Sequence, residues 1–479
     1  MNSIKSNALL YFWGALYVLL SGYFVWLDTS YLALASVGLL VIYFAIFNTD
    51  KVFLALAFCT PLSINIEEYT DSFGLFLPTE PILFGLLIMV VFMQTKRPFI
   101  PQHIWKNPIV VTAGIYIVWL FLSCITSEHP IASFKFLVAK LWFFVPMLLV
   151  GPIVFKQIKN IKTFLALFVI GLCIAIIYTL LHHAQYSFGE KEGHWVMSPL
   201  FKDHTIYGAT VAIGFMMVLG LYFYKKHPPL TTAILLVGIA IIGTGLYFSY
   251  TRAAWLSVVA GFGVAILIKL RVKFSYLAGI TIVAGALLAI SWDTIQMELA
   301  RNKQEHTTED FSEKLQSATN VTTDASNLER LNRWSCAWEM FKERPVMGFG
   351  PGTYAFEYAS FQDPDKLTII STNFGNLGNA HSEYLGPLSE TGFPGLLCVL
   401  AIITALFYKG IRLYLDLPES EKEWKTIVLF IIMAITTYFV HGFLNNYLDT
   451  DKAAVPVWGI AAIFIALEHH FLKNKPEKA

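Results

Sequence analysis

The chain has 479 residues, 56% of them hydrophobic and 14% charged, with 34 Lys and Arg against 33 Asp and Glu for a formal net charge of +1. Soluble domains are roughly a quarter charged, so this composition, with a mean hydropathy of +0.59, excludes an ordinary soluble protein and marks an all-α polytopic membrane protein. The balanced charge argues against a nucleic-acid partner and leaves membrane lipids as the expected surroundings.

A transmembrane helix takes about 20 apolar residues. Runs of this kind fall near 9–27, 31–48, 52–66, 78–94, 108–126, 133–151, 162–181, 205–224, 231–249, 253–269, 275–291, 385–408, 426–443 and 453–471, which makes about 14 transmembrane helices. The count becomes 12 or 13 if short runs fail to cross, and the third contains Pro61, as a broken or re-entrant helix would. The first run follows Lys5 and is too long for a signal-peptide core, so it reads as an uncleaved span. Cys59, Cys124, Cys173 and Cys398 lie in apolar runs and Cys336 in the long polar segment, a distribution with no disulfide framework or zinc spacing.

Lysines and arginines recur in alternate connections: Lys96, Arg97 and Lys106; Lys156, Lys159 and Lys162; Lys225 and Lys226; Lys269, Arg271 and Lys273; Lys409, Arg412, Lys422 and Lys425. The opposite connections are acidic or nearly uncharged, as at Glu67-Glu68, Asp449 and Asp451. By the positive-inside rule both termini are expected in the cytoplasm and the long polar segment outside it. The expected organisation is N-terminal spans at 1–204, spans with an Arg-bearing outer loop at 205–291, an extracytoplasmic loop with amphipathic helices at 292–384, and C-terminal spans with a cytoplasmic tail at 385–479.

Within the long loop, residues 301–325 are polar and read as a loosely packed excursion. Ser326 and Glu329 then have capping-box spacing, and Leu331, Trp334, Trp338 and Phe341 repeat at helical spacing until Arg344-Pro345. This predicts an amphipathic helix lying on the bilayer or over the bundle. Gly348-Phe349-Gly350-Pro351-Gly352 lacks the strand-turn-helix setting of a phosphate loop and reads as a tight turn. A second helix is expected with His381 on its first turn and Gly392 and Pro394 as the break before the next span.

Several polar residues fall on the outer side. Arg252 closes Ser249-Tyr250-Thr251-Arg252 between two apolar runs; it reads either as an arginine snorkelling to the interface or as a clamp whose planar fork matches phosphate oxygens. Arg330 and Arg333 lie four and one residues before Trp334 on the polar side of the amphipathic helix, where they either form a solvated face or headgroup contact or, with Arg252, bracket a diphosphate. His381 is either structural or a proton acceptor, imidazole being suited to that near neutral pH, with Glu383 and Glu390 nearby as solvated groups or as groups that orient or replace it. Asp203-His204 and His441, Asn445 and Asn446 lie at span ends and either line a cleft or cap helices.

Three of these elements, in this order, resemble the O-antigen ligase and O-antigen polymerase superfamily of bacterial envelope glycosyltransferases. They are Ser249-Tyr250-Thr251-Arg252; Arg330 with Trp334, Pro345 and the glycine-rich turn; and Ala380-His381-Ser382-Glu383-Tyr384-Leu385 followed by Glu390-Thr391-Gly392. The chain departs from the family in having Ser382 where asparagine often follows the histidine, and in its larger span count. The resemblance implies a metal-independent, inverting glycosyltransferase of the GT-C type in the bacterial inner membrane, with its active site on the periplasmic side and no cofactor. Its donor would be a glycan on undecaprenyl diphosphate, and its acceptor a lipid A core, another glycan or a protein hydroxyl. By analogy Arg252 and Arg330 hold the diphosphate, His381 is the general base, and Arg333, Trp334 and Glu383 complete the substrate site. Ligase and polymerase share these motifs. A lipid-linked-glycan transporter would put its polar groups near the midplane on paired broken helices in two halves, whereas here they gather on one face.

Overall fold

In a computed structural model of the protein, the residues described are 48–69, 74–272, 325–362 and 378–473, with a few helical positions between 14 and 23. Among them, ten helices are long and apolar enough to cross a membrane. The expected runs at 9–27, 31–48 and 275–291 lie essentially outside the described residues, as does the polar excursion before 325.

The third expected run does not form a span. Helix α1 (Thr49–Cys59) is only 11 residues long and ends in a tight turn at Thr60–Leu62, followed by a two-stranded antiparallel hairpin of β1 (Ile64–Asn65) and β2 (Phe76–Leu77). A helix that stops inside the bundle leaves carbonyls that lipid cannot satisfy. Here the buried Lys452 ammonium supplies the donors, to Thr60 O at 2.8 Å, Ser63 O at 2.7 Å and Ser63 Oγ at 2.7 Å. Its neighbour Asp451 accepts from the Ser63 and Thr79 hydroxyls, so the broken helix is tied to the start of the last span.

The remaining spans are α2 (Thr79–Lys96), α3 (Pro108–Ile125), α4 (Pro130–Val145, continued through a π-turn at Pro146–Val150 to Val154), α5 (Lys159–Ala184), α6 (His204–Phe223), α7 (Pro229–Tyr247) and α8 (Arg252–Lys269). After the lid helix α9 (Ala325–Glu343) come α10 (Leu385–Asp416), α11 (Lys422–His441) and α12 (Asp451–Glu468). Helices α6, α11 and α12 are mostly buried and form the centre, while α7 turns most of its surface outward, as a peripheral helix does toward lipid. The lysine- and arginine-bearing connections emerge at one end. Lid helix α9 and the starts of α6, α8, α10 and α12 gather at the other.

Candidate active site beneath the lid

A break in helical geometry and a glycine-rich turn build the lid end. Helix α10 is interrupted at Gly392, whose φ of 69° and ψ of −173° are not helical, with Pro394 just after it. The glycine-rich turn docks on that break: Phe349 N donates to Ser389 O at 3.3 Å, Gly350 N to Glu390 O at 2.8 Å, and Phe393 N back to Pro345 O at 2.9 Å. The backbones approach so closely that a Cβ on Gly348 would lie 2.3 Å from the Glu390 carbonyl, and one on Gly392 would lie 2.1 Å from Val346 O. The Glu390 carboxylate then accepts from Gly352 N at 2.9 Å and Tyr354 N at 3.1 Å, so these amides are spent on holding the lid rather than on a phosphate. On the other side Trp119 Nε1 donates to Thr391 O at 2.9 Å, satisfying a carbonyl released by the kink.

His381 sits in the loop ahead of α10 rather than on its first turn, because its φ of 46° is left-handed. That conformation costs a non-glycine residue on the order of 1 kcal/mol or more, so the surroundings must hold it. Asn379 Oδ1 accepts from His381 N at 3.0 Å, Trp334 Nε1 donates to His381 O at 3.4 Å, and Glu383 N donates to Gly442 O at 2.8 Å. Ser382, at the position where family members often carry asparagine, accepts from Tyr384 N and Leu385 N at 3.3 Å each and so caps the helix start.

The two lid arginines have different surroundings. Arg333 is 5% exposed, paired with Glu329 at 2.9 Å, donates to Asn379 O at 3.1 Å and lies over the Tyr358 ring at 5.1 Å. It staples the lid to the His381 loop rather than presenting a solvated face. Glu329 is correspondingly paired with Arg333, and the Ser326 side chain of the expected capping box lies outside the described residues. Arg330 instead turns toward the bundle, donating to Leu444 O at 3.3 Å and standing within electrostatic range of His204, His381, His441 and Tyr447.

Those neighbours come from separate parts of the chain. Asp203 caps α6, accepting from Thr205 N at 2.7 Å and Ile206 N at 3.1 Å, and also faces His381. The Thr205 hydroxyl bonds the Tyr447 hydroxyl, which donates to Asn445 Oδ1 at 3.2 Å. His204 stacks on His194 at 4.1 Å, and its carbonyl accepts from Thr251 Oγ1 at 2.8 Å, which brings the start of α8 alongside with Arg252 as its first residue. His441 is 1% exposed and Asn445 2%, yet both His441 ring nitrogens and Asn445 Nδ2 have no hydrogen-bond partner among the described residues. Unpartnered buried polar atoms facing one polar cluster are what a site for a polar ligand requires.

Burial first, then Arg330 and Arg333, push the His381 imidazole down to about 4, with Asp203 and a hydrogen bond to Asn445 opposing them. The ring is therefore neutral at physiological pH and able to accept a proton. Glu383 lies on the far side of the same loop. Its Oε1 accepts from the Tyr438 hydroxyl, from Tyr447 N at 2.7 Å and from Leu448 N at 2.9 Å, and burial followed by Asp449 raises its pKa. Glu383 thus organises the 442–449 loop and makes no contact with His381 among these bonds. Sequence spacing left Asp203, His204, His441 and Asn445 as caps or cleft residues; the structure gathers them around Arg330 and His381. Trp334, expected at the substrate, holds the His381 backbone.

Ten candidate spans, a lid docked on a broken helix and a covered cluster of arginine, imidazole and amide groups define a multi-pass membrane protein with a polar site at one end of its bundle. Residues 237–400, from within α7 through Arg252, the lid and His381 into α10, match the family model described as O-antigen ligase, which supports the O-antigen ligase and polymerase superfamily. The family is one of membrane glycosyltransferase-like enzymes, with lipid-linked glycans and their acceptors as partners in general. No curated protein matches the chain.

Proposed function

We propose that this protein transfers a glycan from undecaprenyl diphosphate to an acceptor hydroxyl at the periplasmic face of a bacterial inner membrane, in the manner of an O-antigen ligase. The observation that carries the proposal is the cluster of Arg330, His381, Asp203, His441 and Asn445 beneath the lid, within the region that matches the family and adjoining Arg252. Arg252 and Arg330 hold the diphosphate. Neutral His381 takes the proton of the acceptor hydroxyl as that oxygen attacks the anomeric carbon. The bond from this carbon to the diphosphate oxygen breaks with its electron pair on the diphosphate, and the anomeric configuration inverts. Negative charge grows on the leaving group in the transition state, so fixed guanidinium groups favour that state over the bound donor.

The His381 electrostatics fit this sequence. Without donor, burial and the nearby Arg330 and Arg333 hold the imidazole at low basicity; an anionic diphosphate bound at Arg330 offsets that arginine's charge, so the base strengthens when the leaving group is in place. Reconstitution with a defined lipid-linked glycan tests the reading. His381→Ala should abolish transfer while donor binding persists, and Arg252→Lys should lose activity because an ammonium cannot reproduce the bidentate fork. Unimpaired transfer by His381→Ala sinks the assigned base. Lipid translocation without glycan transfer by the wild type replaces the enzyme with a transporter.

A further inference from the structure

A cavity of about 270 Å³ lies behind the His381 loop, walled by Asn379, Ala380 and Glu383 of that loop and by Glu390, Lys140 and Asp449. It is separate from the arginine and imidazole cluster: Arg252, Arg330 and His381 are absent from its lining. Its floor is apolar and aromatic, with Tyr116, Phe144, Phe439 and Trp458 among the lining residues. Two buried polar atoms on lining residues lack partners among the described residues, a donor at Trp458 Nε1 and an acceptor at Asn446 Oδ1, although the Trp458 side chain is only 3% exposed. At the rim Lys140 pairs with Asp449 and also donates to Leu448 O at 3.3 Å.

We infer that this cavity is a subsite for one uncharged, hydroxyl-rich sugar ring of the glycan being joined. The one ammonium in the lining, Lys140, is already paired with Asp449, so no spare cation is there for a diphosphate, and the volume is too small for a polyisoprenoid tail. Aromatic faces pack against the C–H face of a sugar. Trp458 Nε1 and Asn446 Oδ1 lie beneath the lining surface, so a sugar hydroxyl, which both donates and accepts, would reach them on a small rotation of either side chain. The ring would lie beside the His381 loop, with its next hydroxyl or its anomeric carbon directed toward the imidazole. The inference rests on the glycosyl-transfer reading for which partner supplies the ring, but sugar binding itself does not.

The test uses the full chain in nanodiscs. Methyl glycosides of neutral hexoses, a methyl uronoside and undecaprenyl diphosphate are titrated separately, with saturation-transfer NMR for the glycosides. Gly386 lines the cavity, and a Cβ there meets nothing nearer than Ala380 Cβ at 3.9 Å, so Gly386→Leu fills the space. Neutral glycosides should bind the wild type and weaken by about tenfold or more in Gly386→Leu. Trp458→Phe and Asn446→Ala should each weaken them about fivefold, the effect of one lost hydrogen bond. Undecaprenyl diphosphate should bind all four proteins alike. Trp458→Phe keeps an aromatic ring, so it carries the test if Gly386→Leu does not fold.

Absence of glycoside binding to the wild type, binding untouched by the variants, or a preference for the uronoside overturns the inference. In a transfer assay, a rise confined to the acceptor KM assigns the ring to the acceptor, and a rise confined to the donor KM assigns it to the donor; movement of neither overturns it. If the wild type transfers nothing, the enzymatic reading fails while the binding arm still decides the subsite.

Discussion

Lowering the pH from about 7.5 to about 5.5 separates a base with the surroundings of His381 from an ordinary imidazole. Burial and the lid arginines place this group at about 4 against an ordinary value of 6.5, which corresponds to about 3 kcal/mol of preference for the neutral ring. At about pH 5.5 such a ring is still more than about nine-tenths neutral, whereas an unperturbed one is about one-tenth neutral. The measurement is kcat/KM for glycan transfer across this range, since that parameter follows the ionisation of the free enzyme. It should be nearly flat between these pH values, and Arg330→Gln, with one positive neighbour removed, should move the acid limb toward higher pH. A tenfold fall by about pH 5.5 in the wild type, or an acid limb indifferent to Arg330, refutes the reasoning. Stability follows the same sign. The unfolded chain protonates this histidine near 6.5 and the folded chain resists until about 4, so the contribution is whole above 6.5 and is lost as the pH falls between the two.

Trp334→Phe keeps an aromatic ring but removes the N–H that holds His381 O, so kcat should fall by about tenfold with donor affinity unchanged; an equal loss of donor binding would place Trp334 on the substrate instead. Gly392→Ala puts a Cβ 2.1 Å from Val346 O at a φ of 69°, a conformation that alone costs about 1–3 kcal/mol, and limited proteolysis should reveal the lid's release from α10. Lys452→Met leaves Asp451 buried without its cation and strips the donors from Thr60 and Ser63, which should cost about 3–5 kcal/mol and lower the thermal midpoint in detergent; an unchanged midpoint would show that the broken helix α1 does not depend on this lysine.

Ten of the spans were legible as apolar runs because a lipid-facing helix has to be hydrophobic over its whole length, whatever it packs against. The Arg344-Pro345 stop of the lid and the break at Gly392 were readable for the same local reason, since proline and left-handed glycine interrupt a helix by their own geometry. The run at 52–66 was ambiguous. Whether a short helix with a following proline ends inside a bundle depends on a partner for its carbonyls, and that partner, Lys452, lies 392 positions from Thr60.

The sequence by itself determined the class of protein, the shared end of the spans at which its arginines and His381 stand, and the resemblance that joins them, because each rests on hydrophobic length, charge alternation or a local motif. Only the tertiary structure decided what each polar residue does. Arg330 and Arg333 are three positions apart on one helix, yet Arg333 reaches Asn379 across 46 positions and becomes a lid staple, while Arg330 reaches Leu444 across 114 and joins the imidazole cluster. Helical spacing fixes the face on which a side chain stands. The group waiting opposite that face is set by how distant segments pack, and that choice divides the arginine that holds the lid from the arginine that faces the site.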